Sequence, residues 1–133
     1  MTKGKLDKLI RQSNSKYAAV RERVAGNPNG SIETLDRLSR DECIDVRQGV
    51  AKNPNCPIDW LDRLSRDEDW NVREGVAQNP NCPIEVLVGL IGGPYSDVRE
   101  AAIQAFSRRK ETATPEERDF IKDYEALVKL GLI

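Results

Sequence analysis

The sequence predicts an all-α fold: an α-solenoid of paired short helices, closed by a C-terminal capping helix. Three observations predict it. Val-Arg recurs every 26 residues, at Val20-Arg21, Val46-Arg47, Val72-Arg73 and Val98-Arg99. Asn-Pro-Asn recurs in the same register at 27–29, 53–55 and 79–81. Within each period the apolar residues fall three or four apart, as in Val46, Val50, Ile58, Leu61 and Leu64, which is helical spacing. Self-similarity at a period of about 20–50 residues marks a stacked repeat, because one unit cannot bury its apolar face alone.

Residues 20–45 and 46–71 agree at 16 of 26 positions, and 46–71 and 72–97 at 13. Leu6 and Leu9 lie one period before Ile32 and Leu35, so the pattern reaches back into the first residues. Stepping forward from Asn79-Pro80-Asn81 lands on Ala105-Phe106-Ser107, where it fails. The predicted organisation is one repeat domain. It has an N-terminal half-repeat at 1–19, three full repeats at 20–97, a last half-repeat at 98–109 and a cap helix at 110–133.

Each full repeat predicts two helices. The first begins at a capping box, an Asx residue followed three positions later by Glu or Gln: Asp45 with Gln48, Asn71 with Glu74, Asp97 with Glu100. It carries Val46, Val50 and Ala51 on one face and stops at Asn53, because Pro54 disfavours helical geometry in the residue before it. The second begins near Pro57, with proline at the first helical position and Ile58, Leu61 and Leu64 on one face. Such short helices are unstable alone, so stacking must supply their stability. Gly49 and Gly75 share one mid-helix position, where glycine costs about 1 kcal/mol against alanine. That predicts close approach between neighbouring repeats. Thr114-Pro115-Glu116-Glu117 opens the cap helix, Phe120, Ile121, Tyr124, Leu127 and Val128 give it an apolar face, and Gly131 ends it.

Composition narrows the function. The chain has 133 residues, net charge −1 and no histidine. The commonest general base and metal ligand is therefore missing. No nucleophile–base pair or phosphate loop emerges, so no enzymatic activity is expected. The longest apolar stretch, Val86 to Ile91, is too short for a membrane span, and no secretory pattern opens the chain, so a cytoplasmic location is expected. Cys43, Cys56 and Cys82 read as free thiols. Cys56 and Cys82 are one repeat apart, too far for a disulfide, and read as small buried residues at helix starts.

The unit Val-Arg-x-x-Val-Ala-x-Asn-Pro-Asn-Cys-Pro-Ile-x-x-Leu-x-x-Leu resembles the leucine-rich-repeat variant family, over residues 20–97 and in part over 1–19 and 98–109. The resemblance implies a right-handed superhelix of short paired helices, some 3₁₀ in character, related to HEAT and armadillo repeats. Residues 97–106 also look like the second helix of a HEAT repeat. One member type carries an iron–sulfur cluster on an N-terminal cysteine-rich segment. No cysteine precedes Cys43 here, so no cofactor or metal is expected. The family implies a scaffold without a shared activity.

Candidate sites divide by whether they obey the period. Arg21, Arg47, Arg73 and Arg99 recur, and HEAT-type repeats pair such arginines with aspartates. Asp41 and Asp67 are the aspartates expected to link neighbouring turns, although an arginine ladder for an acidic partner is the other reading. The repeated asparagines read as turn and cap residues, or as a ladder that holds an extended peptide. Trp60 and Trp70 break the period, with Thr34 and Val86, and Ile44 and Ser96, as counterparts. They are either partner anchors or fillers at repeat edges. With Arg63 and Arg66 they form the candidate protein-binding set. Residues 1–26 carry a net charge of +5, and Lys5, Lys8 and Arg11 share a helix face as a candidate basic patch. The expected function is protein–protein interaction on a helical-repeat scaffold. Nucleic-acid or phosphate binding at the basic end is the alternative.

Overall fold

A computed structural model describes residues 2–133. Among them are nine α-helices and no strand: α1 (Lys3–Ser13), α2 (Ala18–Ala25), α3 (Ile32–Leu38), α4 (Ile44–Lys52), α5 (Ile58–Leu64), α6 (Trp70–Gln78), α7 (Ile84–Ile91), α8 (Ser96–Thr112) and α9 (Pro115–Lys129). The 3₁₀ helices that the family resemblance implies do not occur among the described residues. Three-residue hydrogen bonds occur instead at helix ends, as where the Trp60 amide donates to Pro57 O, and in the Asn-Pro-Asn turns, as where the Cys56 amide donates to Asn53 O.

The even-numbered helices pack in a row, α2 on α4, α4 on α6 and α6 on α8, while α3, α5 and α7 touch one another at most weakly. Glycine explains the tight side. A Cβ on Gly49 would lie 3.0 Å from Ala25 Cβ, and one on Gly75 would lie 3.1 Å from Gln48 Cγ and 3.2 Å from Ala51 Cβ. The core follows this row: Val24, Val46, Val50, Val72, Val76, Val98 and Ala102 are buried with Leu35, Leu38, Leu61, Leu64, Leu87 and Leu90.

The helix starts differ from the expected ones in two ways. First, α4, α6 and α8 begin two residues early, with Cys43, Asp69 and Tyr95 at their N-caps rather than Asp45, Asn71 and Asp97. In the first two of these a turn lies upstream: Asp41 Oδ1 accepts the Cys43 amide at 2.9 Å and Asp67 Oδ1 accepts the Asp69 amide at 2.9 Å. α8 starts as early with Gly93 at that position, so the aspartate turn accompanies the early start without being required for it. Asp45 and Asp97 then lie in the first turn, where a negative charge still suits the helix dipole. Second, Pro57 and Pro83 are N-caps, with extended ψ of 148° and 146°, rather than first helical residues.

The isoleucine of the expected apolar triplet also departs from its leucines. Ile32 and Ile58 are 59% and 58% exposed, whereas Ile84 is 2% exposed. Burial there comes from outside the repeat: Ile84 packs with Phe106 of α8 and Ile121 of α9. α8 itself runs through residue 109 to Thr112, so the last half-repeat and the start of the cap share one helix. α9 is capped by Thr114, whose hydroxyl accepts the Glu117 amide at 3.2 Å. It ends in a Schellman motif: Gly131 takes φ 72°, and the Leu132 amide donates to Leu127 O.

Candidate functional site

The recurring polar residues bond to one another across repeats. Arg21 donates Nε to Asp41 Oδ2 at 2.8 Å and Nη2 to Asp41 Oδ1 at 3.1 Å, while Nη1 donates to Ser15 O at 2.9 Å. Arg47 repeats the fork on Asp67, at 3.0 and 3.2 Å, with Nη1 on Asp41 O at 2.8 Å. Both pairs are largely shielded from solvent. Burial pushes the Asp41 carboxyl up, but the bonds from Arg21 and the Cys43 amide outweigh it and hold the group below the ordinary carboxylate range. The Asp67 hydrogen bond raises the Arg47 guanidinium in turn, against the lowering effect of burial.

The asparagines make a second link. Buried Asn53 donates Nδ2 to Ala25 O at 2.7 Å and Asn27 O at 2.8 Å, and Asn79 donates to Ala51 O at 2.7 Å and Asn53 O at 2.9 Å. Their Oδ1 atoms accept the Asn55 and Asn81 amides, each at 2.8 Å. Asn55 and Asn81 donate to Pro28 O and Pro54 O, one repeat back. Each asparagine is thus a turn residue and an inter-repeat link together. Arg109 ends the series, donating to Pro80 O at 2.9 Å and Cys82 O at 2.8 Å in place of the absent fourth Asn-Pro-Asn. A third link pairs Arg63 Nη2 with Ser39 Oγ at 2.8 Å, and Arg37 with Ser13 Oγ. Sequence reasoning missed it, although the serine–arginine spacing of 24 residues occurs twice.

The third copy departs from all this on one side. Val86 stands where the second copy has Trp60, Gly89 where it has Arg63, and Gly93 where it has Asp67. Three large side chains become small, and the surface opens. A groove of about 430 Å³ lies between α5 and α7, lined by Asp62, Ser65, Arg66, Glu85, Val86, Gly89 and Leu90. Next to it, sharing Ser65, Gly89 and Leu90, is a cavity of about 180 Å³ that also takes in Arg73, Gly93, Pro94, Tyr95 and Val98.

The candidate protein-binding residues are not brought together as one set, and of them Arg66 alone lines these hollows. Trp60 is half-buried on α5 and packs on the core. Trp70 begins α6, is half-buried, and stacks on Tyr95 with ring centroids 6.3 Å apart and planes 17° apart. Arg63 is spent on Ser39. Arg66 lines the groove and pairs with Asp62 at 3.4 Å, with side chains 76% and 52% exposed. Of the structural arginines, Arg73 retains only the main-chain bond, Nη1 to Asp67 O at 2.5 Å, and its guanidinium lies 5.1 Å from the Tyr95 ring centroid. Arg99 likewise donates Nη1 to Gly93 O at 3.0 Å.

At the other end, Lys5 and Lys8 join Arg23, Asn27 and Asn29 around a depression of about 340 Å³. Lys8 and Arg11 line a second one, of about 420 Å³. Burial pushes the Cys56 thiol up to about 11 and the Cys82 thiol to about 12, with Arg63 and Arg109 acting weakly against it. Among the described residues no group of three or more His, Cys, Asp or Glu side chains is placed to hold a metal ion. No helix of the described residues is long and apolar enough to cross a membrane.

No protein-family model, curated protein or solved structure matches the chain.

Proposed function

We propose that the chain is a non-enzymatic α-solenoid of the leucine-rich-repeat variant type, a right-handed superhelix that acts in the cytoplasm. It binds another protein in the groove between α5 and α7. The observation that carries this is how the polar residues are used. Arg21, Arg47, Asn53, Asn79 and Arg63 are taken up by bonds between repeats, which leaves them little to offer a partner. Where Trp60, Arg63 and Asp67 give way to Val86, Gly89 and Gly93, an apolar floor of Val86 and Leu90 lies inside a rim of Asp62, Arg66 and Glu85. An apolar centre with a polar rim is the usual anatomy of a protein interface. The test restores the repeat. Gly89→Arg puts back the residue of the second copy and fills the groove. A partner identified by pulldown is expected to bind this variant at least tenfold more weakly than the parent chain. Equal affinity for both would remove the groove from the proposal.

A second function has its own support in the depressions walled by Lys5, Lys8, Arg11 and Arg23. Nucleic acid bound there releases counterions, so affinity falls steeply with salt. A DNA or RNA titration at several salt concentrations separates the two. Binding that is absent or insensitive to salt sinks the nucleic-acid function, and steep salt dependence favours it over the scaffold.

A further inference from the structure

Each repeat arginine offers the same five donors on a planar fork. In Arg21 and Arg47, Nη1 takes a carbonyl six residues back, and Nε with Nη2 grips the aspartate of the next copy. Arg73 makes the first bond, to Asp67 O, but the residue at the aspartate's position is Gly93. Among the described residues, Arg73 Nε and Nη2 make no hydrogen bond. Arg73 lines the cavity of about 180 Å³ together with Gly93.

We propose that this cavity is a carboxylate-binding site, in which an external carboxylate takes the place that Asp41 and Asp67 hold for Arg21 and Arg47. Several features support it. The other two copies show the fork geometry with a carboxylate in it, at 2.8–3.2 Å. The main-chain donor is also conserved in form: Cys43 and Asp69 give their amides to that carboxylate, and Tyr95 holds the same register with φ −93° and ψ 123°, against −84° and 125° for Cys43. The fork is held in place, by Asp67 O on one side and by the Tyr95 ring, itself stacked on Trp70, on the other. The floor is fixed as well, since Arg99 donates to Gly93 O. The cavity exceeds several-fold the roughly 30 Å³ share of a liquid water, so a carboxylate with a few attached carbons fits against Pro94, Leu90 and Val98. A planar bidentate acceptor is favoured because a fork of two parallel N–H groups matches the two oxygens of a carboxylate.

This site goes beyond the scaffold function, since a small acid alone can fill it. The experiment follows the Arg73 Nε–Hε resonance by NMR in the full chain. The probes are acetate, a blocked peptide with a free C-terminal carboxylate, and an amidated peptide with one aspartate side chain, each against chloride at matched ionic strength. A saturable shift at Arg73, with Arg21 and Arg47 unmoved, is the expected result. The probe that binds tightest tells a small acid from a chain terminus or a side chain. Arg73→Lys, which keeps the charge and loses the fork, is followed through the Gly93 and Tyr95 main-chain amide resonances of parent and variant alike, and is expected to weaken binding at least tenfold. Gly93→Asp supplies an internal carboxylate and is expected to abolish the response. Its backbone suits the change: Gly93 has no positive φ, and an added Cβ meets only Leu90 O, at 3.4 Å. A shift matched by chloride, absent with all three probes, or unchanged in folded Gly93→Asp would overturn the proposal.

Discussion

Arg47 and Arg73 occupy one position in two successive copies, on equivalent helices, and each gives Nη1 to the carbonyl six residues before it. Their surroundings then part. Around Arg47, Asp67 closes the fork; around Arg73, Gly93 leaves it facing a cavity. The same contrast separates Arg63, which reaches Ser39, from Gly89, which reaches nothing. Yet the even-helix row is the same in both copies: Val46 and Val72, Val50 and Val76, and Asn53 and Asn79 are buried alike. One side of the repeat carries the packing and holds constant. The other side carries side chains that can be lost without disturbing it, and that is where the surface differs.

The largest expected effect is on the side that stays constant. Asn53→Ala removes two donated bonds to Ala25 O and Asn27 O and one accepted from the Asn55 amide, at a buried site. It strands the buried Ala25 carbonyl, frees the Asn27–Asn55 turn, and is expected to cost about 2–4 kcal/mol in urea unfolding. Asn79→Ala should cost about the same. A cost under about 1 kcal/mol for both would place the stability elsewhere than in the asparagine links.

The next effect is the comparison itself. Arg47→Ala strands a shielded Asp67 carboxylate, whereas Arg73→Ala strands none. The first is expected to cost about 1–2 kcal/mol more than the second, measured as the difference between urea midpoints. Equal costs would mean that the carboxylate clasps add nothing to the fold.

Much of this was legible in the sequence, and the rest was hidden for physical reasons. The helix pairs follow from apolar spacing and the glycine contacts from register, because both are properties of a single copy and its identical neighbour. The helices start two residues before the Asx residues, and this was hidden because Asp45 and Asp97 satisfy a capping pattern while lying inside the first turn, which residue types alone do not reveal. Ile32 and Ile58 read as core because nothing local tells them from Ile84, whose cover arrives from α8 and α9. The open groove was visible as a signal, in Val86, Gly89 and Gly93. A hollow, however, depends on which lost side chains share a wall, and that needs coordinates.

Gly93→Asp should close the difference between the copies and raise stability by about 0.5–1.5 kcal/mol at neutral pH. The gain has a pH signature. Asp41 in the same setting is held below its ordinary value of 3.8, so a matching carboxylate binds fewer protons folded than unfolded. The gain is therefore full above the unfolded pKa and fades as pH falls below about 3.8 toward the lowered folded value. Unfolding midpoints of parent and variant at pH 7 and pH 3 check this, and a gain that persists undiminished at pH 3 would rule out an ionised clasp.

The smallest effect on stability separates fold from function. Arg66→Ala breaks only the exposed pair with Asp62, and such i,i+4 pairs are worth about 0.3–0.5 kcal/mol. Arg40→Ala breaks the matching pair with Asp36 one copy earlier, at 3.6 Å, and should cost no more. The two arginines differ in their setting, since Arg66 borders the α5–α7 groove where the third copy is hollowed. If that groove seats the partner, Arg66→Ala lowers affinity severalfold and Arg40→Ala leaves it unchanged, at indistinguishable urea midpoints. The fold treats the two pairs as equivalent, so a difference in partner affinity must come from the surface that the third copy opens.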